Sequence, residues 1–114
     1  MLTEADFRRL ALGLPDTVES AHMGHPDFRV AGRIFATLWP VEGWGVVMLD
    51  PEQQAMLCTA EPAVFTPVPG GWGRGGSTRL LLDAADEKTA LSALSMARAR
   101  AVAKRPARPR RPRS

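Results

Sequence analysis

The sequence predicts an α+β domain of two layers: a mostly antiparallel sheet with helices packed on one face. Three observations predict it. Asp27 to Trp39 places two apolar-rich runs about Ala31-Gly32, the pattern of a β-hairpin. Helix starts of the capping-box kind stand before Phe7 and after Leu49. The connections between the apolar runs of the first half are too short for crossovers, so those strands pair antiparallel and the helices gather on one side.

Taken in order, Thr3 is an N-cap with Asp6 three residues on, and Leu2 with Phe7 has the spacing of a hydrophobic staple. Phe7, Leu10, Ala11 and Leu14 then recur on one helical stripe, and Gly13 and Pro15 close the helix. Thr17 to Met23 reads as a first strand, broken by Gly24 and Pro26. In the hairpin that follows, a two-residue loop sets Phe28 opposite Phe35 and Val30 opposite Arg33; an aromatic pair so placed stabilises the register by up to about 1 kcal/mol. Both sides of this hairpin are apolar, so the covered face of the sheet stays open. Val41-Glu42-Gly43 is a turn into a strand from Trp44 to Leu49.

Asp50-Pro51-Glu52-Gln53 combines an Asp N-cap, Pro at N1 and Gln at N3, predicting a helix to about Ala60. Phe65 to Pro69, with two prolines, suits an extended sheet edge. Pro69 to Gly76 reads as a flexible glycine-rich loop, and Thr78 to Leu82 as the last strand. Asp83 as N-cap with Asp86 at N3 predicts a long C-terminal helix, its narrow apolar face made by Ala90, Leu94, Ala97 and Ala101.

With 114 residues, the chain has room for one core, placed here at residues 1–103. Residues 104–114 read as a disordered Arg/Pro tail with six cations: Lys104, Arg105, Arg108, Arg110, Arg111 and Arg113. The preceding 103 residues carry 9 basic and 12 acidic side chains, so the high isoelectric point belongs to the tail. The sequence shows no signal peptide and no apolar run long enough to span a bilayer, and its lone Cys58 has no disulfide partner. A cytoplasmic protein without membrane contact is the expectation.

His22, His25 and Asp27 form the most reactive-looking group. Residues three apart on a strand point to opposite faces, and no third His or Cys stands near, so no metal is expected. These residues are read as shaping the strand-to-strand corner, with a ligand or acid–base corner centred on His25 as the alternative. Gly71-x-Gly73-x-x-Gly76 matches a dinucleotide fingerprint in letters only: a strand follows it where a helix is required, and no cofactor is expected. Its backbone, with Trp72, Arg74 and Arg79, suits a phosphate or a stacked base. Cys58 reads as a small buried apolar side chain, and Met48, Met56 and Met96 as core residues.

Several segments together carry a family resemblance. They are His22-x-x-His25-Pro26-x-Phe28-Arg29-Val30, Gly32-Arg33-Ile34-Phe35-Ala36-Thr37-Leu38, Pro51-Glu52-Gln53, Phe65-x-Pro67-Val68-Pro69-Gly70 and Trp72-Gly73-Arg74-x-Gly76-x-Thr78-Arg79. In this order they resemble the MmcQ/YjbR family of small bacterial proteins. The resemblance implies a two-layer α+β fold similar to secretion chaperones or CyaY, and a DNA-binding role of double-wing type. Ser77 departs from the aromatic residue common at that position in the family, and the tail lies outside the shared pattern.

The functional expectation is non-enzymatic DNA binding, with Arg29 and Arg33 of the hairpin, Arg74 and Arg79 of the glycine-rich loop and the tail cations on phosphates, and Trp72 stacking. One alternative is a chaperone-like protein-interaction module or homodimer with an apolar patch including Trp39 or Trp44. The other is a small-ligand binder or enzyme at the His22/His25 corner, which requires a concave pocket lined by histidine and arginine.

Overall fold

The local signals for helix and turn resolve most of the backbone. The computed structural model describes residues 1–103; the basic run from Lys104 to Ser114 lies outside the described residues. Thr3 Oγ1 accepts from the Asp6 backbone N–H and Asp6 accepts from the Thr3 N–H, each at 3.0 Å, so helix α1 (Glu4–Leu12) begins with the full capping box. Asp50 and Gln53 exchange the same pair of bonds at the start of α2 (Pro51–Ala60).

Six strands form one antiparallel sheet: β1 (Val18–His22), β2 (His25–Val30), β3 (Arg33–Trp39), β4 (Trp44–Met48), β5 (Phe65–Pro67) and β6 (Ser77–Leu81). Their spatial order is β1-β2-β3-β4-β6-β5. Ala31 and Gly32 both take positive φ, 53° and 79°, as a two-residue hairpin loop requires. Pro26 does not end the first strand but lies within β2. It pairs with Ala21 of β1, and the ladder to β3 begins only at Asp27, so its missing N–H breaks no bond there.

The register of the hairpin differs from the expected one at a single point. Val30 faces Arg33, but Phe28 faces Ala36, because Phe35 is an extra residue bulged out of the β2–β3 ladder. Phe35 and Ala36 are consecutive and both fully buried, which resets the alternation of β3 beyond them.

Helices α1 and α4 (Glu87–Ala103) cover one face of the sheet. Phe7, Phe28, Phe35, Leu38, Val47, Leu80 and Leu94 fill the space between, with the Phe7 and Phe28 rings edge to face at 5.9 Å. All four residues predicted for the apolar stripe of α4 are buried. That helix starts one turn later than expected: Asp86, not Asp83, accepts from the Thr89 N–H at 2.8 Å, while turn bonds from Ala84 and Ala85 to Leu81 occupy the backbone before it. Met96 packs on the core, Met48 lies on the opposite face, and Met56 is largely exposed on α2. Cys58 is half-buried against the core, and that burial pushes its thiol pKa up. Among the described residues no helix is long and apolar enough to cross a membrane.

Candidate functional site

Period-two geometry, corrected for the bulge, assigns the second face of the sheet. Residues opposite those of the core point away from the helices: His25, Asp27 and Arg29 on β2, Ile34, Thr37 and Trp39 on β3, Trp44, Val46 and Met48 on β4, and Arg79 on β6. No helix of the described chain lies flat on this face. It is instead concave, enclosing about 520 Å³ between the strands and a lip formed by Met23, Val68 and Trp72.

The lining is aromatic and apolar with few polar groups. All three tryptophans of the chain meet there. The Trp39 Nε1–H donates to Thr37 Oγ1 at 2.9 Å, which satisfies its one polar atom, and the His25 ring stacks on the Trp39 indole at 3.7 Å. The Arg79 guanidinium lies over the Trp44 ring, 4.0 Å from its centroid. Asp27, fully buried at the floor, takes a two-pronged ion pair from Arg29 at 2.9 and 3.1 Å, which holds the Arg29 guanidinium firmly protonated.

The expected site residues therefore separate. His25, Asp27, Trp72 and Arg79 line one cavity, although they come from different segments of the chain. Arg29 shares their face but is committed to Asp27. Arg33 pairs with Val30 and so belongs to the helix-covered side, where its Nε is buried without a partner. Arg74 stands exposed beside Trp72. The backbone of His22 pairs with His25 at the β1–β2 turn. Lys104, Arg105, Arg108, Arg110, Arg111 and Arg113 lie outside the described residues. Trp39 and Trp44, the residues of the expected interaction patch, are half-buried walls of the cavity. One signal for them was present in the sequence: they flank the four residues 40–43 symmetrically, and they are indeed cross-strand partners.

The glycine-rich segment is a short helical turn and not an open loop. Helix α3 (Gly71–Arg74) carries Trp72 to the lip. Gly73 is buried so closely against the Val68 carbonyl that no Cβ fits, and Gly76, at φ 116°, meets the Leu49 carbonyl in the same way. The Gln54 side-chain amide donates to the carbonyls of Gly73 and Ser77 at 2.9 and 3.0 Å and ties the turn to α2. The spacing that resembled a nucleotide fingerprint is thus set by backbone packing.

The acidic side chains are distributed unevenly about this site. Two acids lie on strands: Glu19, which turns to the helix side and binds Arg8 at 2.9 Å, and Asp27, neutralised by Arg29. The rest sit on helices, their caps or turns.

Comparison with known proteins agrees with this architecture. The YjbR family model matches residues 12–98. A crystal structure of a Deinococcus radiodurans protein with a DUF419 domain superposes with a TM-score of 0.69 at 20% sequence identity, over 85% of this chain and 76% of that one, a likeness of fold. No curated protein matches the sequence.

Proposed function

The chain belongs to the YjbR family, and on that premise we propose that it is a binding protein whose site is the tryptophan-lined cavity on the helix-free face of the sheet. Its ligand is small, flat and largely apolar. The observation that carries this reading is the convergence of Trp39, Trp44 and Trp72 on about 520 Å³, with only His25, Asp27, Thr37 and Arg79 as polar lining. Small-molecule sites are typically concave, apolar, preformed and of roughly 300–1,000 Å³, with a few placed polar groups. Preformation is supported here by the Trp39–Thr37 bond, the His25 stack and the Asp27–Arg29 pair, which hold the walls without a ligand.

The test uses N-phenyl-1-naphthylamine, a neutral probe whose fluorescence rises in apolar sites. Saturable one-to-one binding that Trp39→Ala and Trp44→Ala each weaken by about tenfold supports the reading, since an aromatic wall lost from a small site is worth on the order of one such step. Absence of binding, or equal binding by wild type and both variants, rejects it.

DNA binding is the second reading, favoured by the pairing of an exposed indole with an exposed cation, Trp72 and Arg74, on one turn. Among the described acids only Asp27 lines the cavity, and Arg29 pairs with it. In this reading the phosphate contacts narrow to Arg74, Arg79 and the tail, because Arg29 is already paired and Arg33 belongs to the other face. Anisotropy of labelled single-stranded and duplex DNA tests it: binding by residues 1–103 alone that Arg74→Ala and Trp72→Ala reduce supports it, and binding that disappears with residues 104–114 confines it to the tail. The division into a folded domain at 1–103 and an accessory tail, and a cytoplasmic setting for the reduced Cys58, are parts of the same proposal.

A further inference from the structure

Resting on the small-ligand reading, we infer that the cavity selects an aromatic carboxylic acid, with Arg79 as the residue that receives the carboxylate. Arg79 is the unbalanced charge of the cavity wall. No ion pair among the described residues involves it, and the single carboxylate lining the cavity, Asp27, already has both oxygens on Arg29. Arg79 is also half-buried among apolar groups, where water screens a charge poorly and an opposing charge gains most.

The geometry favours a planar oxyanion over a point charge. The Arg79 guanidinium carbon lies 4.0 Å from the centroid of the Trp44 indole, and its N–H donors point outward in the guanidinium plane. A carboxylate meets that edge with two parallel hydrogen bonds. The backbone of Arg79 is paired on both sides, with Val46 of β4 and Thr66 of β5, and its guanidinium rests against Trp44, which orients the side chain before any ligand arrives. A ring attached to such a carboxylate extends over the cavity toward Trp39 and Trp72, which supply stacking area.

The experiment is displacement of N-phenyl-1-naphthylamine by 2-naphthoate and by 2-naphthamide, which share a ring system and differ in charge. Wild type is expected to bind the acid about tenfold or more tightly than the amide, the effect of one charge-assisted bidentate contact. Arg79→Met is expected to lose that preference, acid and amide then binding within about twofold of each other, while saturable binding of N-phenyl-1-naphthylamine persists and shows that the cavity is still formed. Arg79→Lys keeps part of the preference, since the charge remains and the fork is lost. Equal affinities for acid and amide in wild type, or a preference that survives Arg79→Met, overturn the inference and leave the cavity reading standing. If wild type binds neither the probe nor either naphthalene, the cavity reading falls and this inference with it.

Discussion

The two faces of the sheet are built from similar residues and do opposite things. On one, Phe28, Leu38, Val47 and Leu80 meet the side chains of α1 and α4 and are sealed from water. On the other, Ile34, Trp39, Trp44, Val46 and Met48 are as apolar in sequence, yet no helix lies on them and they curve around a cavity. What distinguishes the faces is the company of each apolar row. The core row has partners on helices and few polar groups, whereas the cavity row is interleaved with His25, Asp27, Thr37 and Arg79, which ion-pair, hydrogen-bond or stack within their own face. The difference teaches that stability and binding are separable in this fold by strand parity.

Substitutions can break that separation or sharpen it. The largest effect is expected at Phe28→Ala, which empties a fully buried site beneath Phe7 and lowers stability by about 3–5 kcal/mol. Trp44→Ala, on the other face of the sheet and half-buried, should cost roughly 2 kcal/mol or less despite removing a larger ring. Urea denaturation of both variants decides; equal losses mean that the two faces share one core.

Gly73→Ala comes next, because its methyl group would collide with the Val68 backbone carbonyl. It should destabilise by roughly 1–3 kcal/mol and displace Trp72, weakening probe binding as well. Gly75→Ala is the matched control: its Cβ would meet the Trp72 carbonyl oxygen at 3.5 Å, an ordinary contact, so stability changes by about 0.5 kcal/mol or less. Trp72→Ala is expected to leave the urea midpoint nearly unchanged, within about 0.5 kcal/mol, because the side chain is 72% exposed, while lowering affinity for N-phenyl-1-naphthylamine. A Trp72 variant that unfolds more easily but binds normally would reverse the roles of lip and scaffold.

The smallest effect is acid sensitivity, and it belongs to the helix side. Asp6 is held below the usual 3.8 by hydrogen bonds from Thr3 and by Arg9, and Asp86 by hydrogen bonds from Thr89. A carboxyl with a depressed folded pKa contributes stability above its unfolded pKa and loses it as pH falls through the folded value. Acid titration of Asp6→Asn with Asp86→Asn should therefore show a shallower fall in stability below pH 3.8 than wild type. Probe affinity at neutral pH should stay unchanged, since neither residue touches the cavity.

Much of the backbone was legible in the sequence because its signals are local. The Thr3 and Asp50 caps, the Ala31-Gly32 loop and the proline-bearing edge strand each follow from a few adjacent residues. Features decided by packing at a distance were not legible. Nothing in Ile34-Phe35-Ala36 announces a bulge, since two consecutive apolar residues fit either parity. The α4 start was ambiguous because Asp83 and Asp86 both offer a cap, and the turn at Leu81–Ala85 selects the second. Helix α3 is poor in helix-forming residues and exists because Gly73 and Gly76 pack against neighbouring carbonyls. Of the site, Trp72, Arg79, His25 and Asp27 were each singled out from sequence, but their meeting in one cavity depends on the lateral order of the strands, with β6 beside β4.

The bulged Phe35 gives this hairpin one place where its length can change. Upstream of it Ile34 faces the cavity, and beyond it Thr37 and Trp39 return to that face only because one position was skipped. Deleting Phe35 would close the bulge: Ile34 would still face Arg29 and Ala36 would still face Phe28, so Leu38 would stay in the packed layer and Trp39 in the binding surface, at the cost of one buried ring. The bulge is thus the slack of the strand, a place where the loss of one codon leaves both faces with their own residues.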